Sequence, residues 1–102
     1  MITLHVRKAT MGWEKITGLI GKQQIYSLLI ETRFGIHTFG VRVPIDIVIL
    51  NKNFTVQNIV ESMKPNRIFI WNPSYPYVIE LPHGTIKKTK IKKGEKIRIV
   101  VE

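Results

Sequence analysis

The chain contains no cysteine, which removes disulfide staples, thiolate zinc sites and cysteine nucleophiles from consideration and suits a cytoplasmic setting. Acid is scarce too: seven Asp plus Glu stand against sixteen Lys plus Arg in 102 residues, a formal net charge of +9. Such an imbalance attracts polyanions through its long-range field but carries little specificity. No run approaches the roughly 20 apolar residues of a membrane span, so no membrane insertion is expected. The opening Met1-Ile2-Thr3-Leu4-His5-Val6-Arg7 lacks the charged-then-apolar order of a secretory signal. Gly12, Gly18 and Gly21 form neither Gly-x-Gly-x-x-Gly nor Gly-Lys-Ser/Thr, so no nucleotide cofactor is expected.

What the chain does have is apolar surface. Hydrophobic residues make up 44% of it, enough to offset the backbone entropy of folding. A chain of this length divided in two would leave each half with a marginal core, so residues 1–102 are expected to form one domain, acting as a monomer.

Ile2, Leu4 and Val6 alternate with Thr3, His5 and Arg7, the period of a strand with one buried face. Thr10 is placed to cap a short helix carrying Trp13, Ile16 and Ile20, with Gly21 as its stop. Residues 24–32 read as a buried strand, and residues 36–43 as a strand ending at Pro44. The run Ile45 to Leu50 is apolar except for Asp46, and Asn51-Lys52-Asn53 supplies turn chemistry into Phe54-Thr55-Val56. The apolar phase Phe54, Val56, Ile59 predicts a bulge near Asn58.

Residues 68–71, 77–81 and 97–101 complete the strands, with one helical turn over 85–90. The fold class is therefore mainly β: a sandwich or partly open barrel of about seven to nine short strands, with one short N-terminal helix and that helical turn. This is favoured over a parallel βαβ sheet because no helix is long enough to cross over.

Three segments together resemble the domain of unknown function 192 family, also called uncharacterised protein family 0127. They are Ala9-Thr10 with Thr17-Gly18-Leu19-Ile20-Gly21, the stretch from His37 to Leu50 containing Arg42-Val43-Pro44-Ile45-Asp46, and Tyr77-Val78-Ile79-Glu80-Leu81-Pro82-His83-Gly84 followed by Gly94-Glu95. The second is close to the archaeal form. Ile20 and Val41 depart from the family pattern, where methionine is common. The resemblance implies a compact, mainly β fold with short helices and no established reaction.

Arg42, Asp46 and Glu80 are charged residues inside apolar runs, so burial obliges each to find a partner or shift its pKa. Two readings follow. In one, His37, Arg42, Asp46, Trp71, Glu80 and His83 line a ligand-binding cleft of a non-enzymatic binding or accessory module. A variant of this reading makes Asp46 and Glu80 the paired carboxylates of a hydrolase. In the other, Asp46 accepts backbone hydrogen bonds from the Pro44 turn and Arg42 neutralises a carboxylate.

The three histidines, His5, His37 and His83, show no i, i+2 or i, i+4 spacing, so no metal is expected. Ser27, Ser62 and Ser74 lack a Gly-x-Ser-x-Gly context, and no serine hydrolase is expected. Lys87, Lys88, Lys90, Lys92 and Lys93, extended by Lys96 and Arg98, form a basic stretch suited to a polyanion such as RNA. Trp71, Tyr75 and Tyr77 are available to stack bases if exposed.

Overall fold

In the computed structural model the described residues are 1–9, 27–32, 36–37, 44–64 and 67–102, with Ala9, Ile36, His37, Ile68 and Phe69 described through their backbone alone. In chain order the elements are β1 (Thr3–Ala9), β2 (Ser27–Glu31), β3 (Ile36–His37), β4 (Ile45–Leu50), β5 (Val56–Met63), β6 (Ile68–Phe69), β7 (Tyr77–Pro82), the single-turn helix α1 (Thr85–Thr89) and β8 (Arg98–Val101). The helix expected between Thr10 and Gly21, and the strand expected beyond His37 to Val43, lie outside the described residues. No helix among the described residues is long and apolar enough to cross a membrane.

The mainly β class holds. Six strands form one open mixed sheet in the order β5-β4-β7-β2-β1-β8, which is not a closed barrel, and β3 pairs with β6 in a separate two-stranded ribbon. The expectation that set parallel pairing aside is corrected: β1 runs parallel to both of its neighbours, β2 and β8. Parallel neighbours need only a long connection. Residues 10–26 supply one between β1 and β2, so a long helix is not required.

Side chains alternate across the sheet and divide the core in two. One face gathers Leu28, Ile30, Ile45, Ile47, Ile49, Met63, Trp71 and Val78. The other carries Leu4, Val6, Leu29, Val48, Leu50, Val56, Ile79 and Leu81 beneath Ile86 of α1 and Ile91 and Ile97 of the following segment. The central strands β4 and β7 are buried on both sides, which is why they read as unbroken apolar runs rather than alternating ones.

The hairpin joining β4 to β5 turns where Asn-Lys-Asn predicts it. Asn51 Oδ1 accepts the N–H groups of Asn53 at 2.9 Å and Thr55 at 3.0 Å, and Phe54 N–H donates to Asn51 O at 3.0 Å. Phe54 adopts φ 61° there, held by stacking on Tyr77 with ring centroids 4.9 Å apart. The predicted bulge is present: Ile49 pairs with Asn58 while its neighbour Leu50 pairs with Val56. A side chain that satisfies two backbone donors in one turn is worth about 1–2 kcal/mol. Asn51→Ala should cost that much in urea denaturation, whereas Asn51→Asp, which keeps the acceptor, should retain most of the stability.

Candidate functional site

A second bulge, unforeseen from the sequence, builds the site. Ile45 pairs with Met63 and Ile47 with Val60, so Asp46 stands opposite both Glu61 and Ser62. The additional residue disturbs the ladder and re-aims its neighbours. Ser62 takes φ 56°, a left-handed conformation that costs an ordinary L-residue about 1–2 kcal/mol. Its N–H is satisfied by the side chain across the bulge, donating to Asp46 Oδ1 at 2.9 Å.

The other oxygen of Asp46 serves a different element. Ile86 N–H, in the first turn of α1, donates to Asp46 Oδ2 at 2.9 Å. Gly84, the N-cap of α1 at φ 89°, has no side chain for this purpose, so Asp46, 40 positions before Ile86, does the capping. Thr85 Oγ1 also donates to Pro82 O at 2.6 Å, fixing the turn between β7 and the helix. Asp46 is 1% exposed and satisfied by two backbone donors. The donors come from β5 and α1, not from the Pro44 turn where they were expected.

Joined in this way, the bulge and the turn enclose an open cavity of about 180 Å³ lined by Asp46, Glu61, Ser62, His83, Gly84 and Lys87. Ser62 Oγ lies 3.1 Å from His83 Nδ1 at its mouth. Among the described residues no group of three or more His, Asp or Glu side chains converges to hold a metal.

Of the six residues expected to share a cleft, only Asp46 and His83 are seen to meet. Glu80 is directly opposite Ile47 on one side and Leu28 on the other, which puts its side chain on the face those two residues occupy. Asp46, opposite Leu81, is on the other face. The hydrolase pair is thereby corrected: two carboxyls acting on one bond must lie within about 10 Å across one cleft, and here the sheet itself lies between them.

Trp71 is buried on the Glu80 side, its Nε1–H donating to Tyr75 O at 2.8 Å. It is not part of the Asp46–His83 pocket. The backbone of His37 pairs with Ile68 in the β3–β6 ribbon, and Arg42 lies outside the described residues. Glu80 is fully buried, and burial pushes its pKa from 4.5 up to about 8.

Sequence reasoning did not bring Glu61, Ser62 and Gly84 into a site, and it gave Lys87 only a polyanion role. The available signal was the phase of β5. Val60 and Met63 pack on one face although they are three positions apart, a spacing that plain alternation would send to opposite faces.

The basic side chains Lys87, Lys88, Lys90, Lys92, Lys93, Lys96 and Arg98 are all exposed. The aromatics do not accompany them: Trp71 is in the core, and Tyr77 is half-buried against Phe54.

The fold and the pocket define a small mainly β domain whose polar site is built on a strand bulge. A family model described as Uncharacterized ACR, domain of unknown function 192, matches residues 2–99, and the chain belongs to that family. A UPF0127 protein of Pyrococcus horikoshii is 35% identical over 100 residues, covering 92% of this chain and 86% of the relative. One from Pyrococcus abyssi is 37% identical over 79 residues, covering 76% and 67%.

Two solved structures share the fold. A putative transcription regulator from Sinorhizobium meliloti has a TM-score of 0.74 at 21% identity, covering 89% of this chain and 78% of its own. A protein of unknown function from Novosphingobium aromaticivorans has a TM-score of 0.75 at 18% identity, covering 89% and 71%.

Two outcomes follow from the carboxylates. Asp46→Asn keeps one acceptor and turns an amide toward the other N–H, so it should cost about 2–3 kcal/mol. Amide exchange at Ser62 or Ile86 should accelerate beyond the global change, and unaltered exchange at both would refute the double tether.

Glu80 has a folded-state pKa above its unfolded value. The folded chain therefore holds the extra proton between pH 4.5 and about 8, and stability from this group falls as pH rises through that window. Glu80→Gln should be near neutral at pH 4 and stabilising on the order of 3 kcal/mol at pH 7, read from urea melts across the range.

Proposed function

We propose that the chain is a non-enzymatic ligand-binding module whose site is the pocket between the Ser62 bulge and the turn from β7 into α1. The observation that carries this reading is Ser62 itself. A non-glycine residue held at φ 56° places its hydroxyl 3.1 Å from His83 Nδ1 at the mouth of a polar cavity. Strain of this kind persists only where the surroundings enforce it, and it concentrates at ligand sites. Both segments of the family resemblance that carry Asp46 and His83 meet here.

The pocket supports binding better than hydrolysis. A serine–histidine pair needs a third group to orient the imidazole, and the hydrogen bonds of Asp46 go to the backbone N–H groups of Ser62 and Ile86.

A second reading, a polyanion binder, is supported by the exposed basic run from Lys87 to Arg98. With Trp71 buried and Tyr77 stacked on Phe54, such binding would rest on phosphate charge rather than base stacking, and would weaken steeply with salt. One fold neighbour is described as a putative transcription regulator; that likeness supports the fold alone. The two-layer form with seven to nine strands, the single-domain organisation and cytoplasmic residence are part of the same proposal. The β3–β6 ribbon is the described candidate for a second layer.

The test separates strain from binding. Ser62→Gly relieves the left-handed conformation, so its urea midpoint should equal or exceed that of the parent. Amide shifts induced at residues 61, 62, 83, 84 and 87 by a screened set of polar small molecules should disappear in the same variant. A destabilised Ser62→Gly whose shifts persist would end the proposal.

A further inference from the structure

The chemistry of the pocket selects among ligands. Four ionisable side chains line it, two acidic and two basic, together with the Ser62 hydroxyl. They do not compete equally. Asp46 is buried and each of its oxygens already accepts a backbone N–H group, which offsets part of its charge. That leaves the exposed Glu61 against the Lys87 ammonium and the His83 ring.

The surroundings add to the basic side. Lys87 begins the exposed run that continues through Lys88, Lys90, Lys92 and Lys93, in a chain of net charge +9. A field of that sign raises the local concentration of anions and lowers that of cations.

The serine–histidine pair suits an anion for a further reason. A hydroxyl has one proton to donate, and when the ring carries its proton on Nε2 the hydroxyl proton is directed to Nδ1. When the ring proton is on Nδ1, Nδ1–H donates to Oγ instead, and the hydroxyl proton is released toward whatever occupies the cavity. An acceptor with negative charge gains from both changes, since hydrogen bonds to charged acceptors are the stronger kind.

Resting on the reading of this pocket as a binding site, we infer that its ligand presents a small oxyanion, a phosphate or carboxylate group, to Ser62 Oγ, His83 and Lys87. The cavity, about 180 Å³, has room for such a group and a few attached atoms. The remainder of a larger ligand would extend over the lysines of α1.

The experiment uses the full chain, isotopically labelled and titrated at constant ionic strength with four probes: sulfate, acetate, neutral dimethyl sulfone and tetramethylammonium. Saturable amide shifts at Ser62, His83, Gly84 and Lys87 are expected with sulfate or acetate only, and the stronger of the two identifies a tetrahedral or a planar group. Lys87→Ala should weaken that binding about tenfold, the worth of one charged hydrogen bond. Lys93→Ala, which removes the same charge outside the pocket, should leave it within about twofold.

Saturation by the neutral or cationic probe instead would keep the pocket as a site and overturn the oxyanion. Equal losses in both lysine variants would assign the shifts to the general field and overturn it too. No saturable shift with any probe would count against the oxyanion and against the binding site together.

Discussion

One carboxylate accepting two backbone N–H groups organises this end of the molecule. Asp46 projects from the start of the otherwise apolar strand β4, and its two oxygens reach a bulged strand and the first turn of a five-residue helix. Neither element is self-sufficient. A single helical turn leaves its first N–H groups unmet, and a bulge withdraws an N–H from the ladder. Meeting both from one buried side chain couples the position of His83 to that of Ser62, residues that no direct backbone pairing connects. The pocket exists because this coupling holds its two walls at a set distance.

The two buried acids of the sheet show how environment separates groups of the same chemistry. Asp46 and Glu80 are 34 residues apart and both almost wholly excluded from water, yet a shift of one register position puts them on opposite faces. Asp46 is given hydrogen-bond donors. Glu80 is set among Leu28, Ile47 and Val78, where removal from water holds the carboxyl protonated to about pH 8. The first acts as a structural anion, and the second is a cost of charge that rises with pH.

Much of the fold was readable in advance. The alternation in β1, the turn residues Asn51 and Asn53, and the first bulge of β5 follow from local period and turn chemistry, and the structure has them where those rules place them. Pairing across the sheet did not follow. Alternation says which face a residue takes but not which strand lies beside it, so the parallel neighbours of β1 were missed. The site was half legible: Asp46 was visible as a charged residue inside an apolar run and His83 as a polar residue just beyond another, whereas Glu80 and Trp71 were grouped with them because alternation along one strand does not give its register against the next.

By itself the sequence determined a basic, cysteine-free, mainly β chain of a recognisable family, because composition and short-range period are properties of the chain read one residue at a time. Only the tertiary structure decided that Ser62, His83 and Lys87 share one opening and that Glu80 does not. The first depends on a single inserted residue in β5 opposite Asp46, and the second on the register of β4 against β7, which sets Glu80 beside Ile47 rather than beside Asp46; both arise only when β4, β5 and β7 are packed side by side.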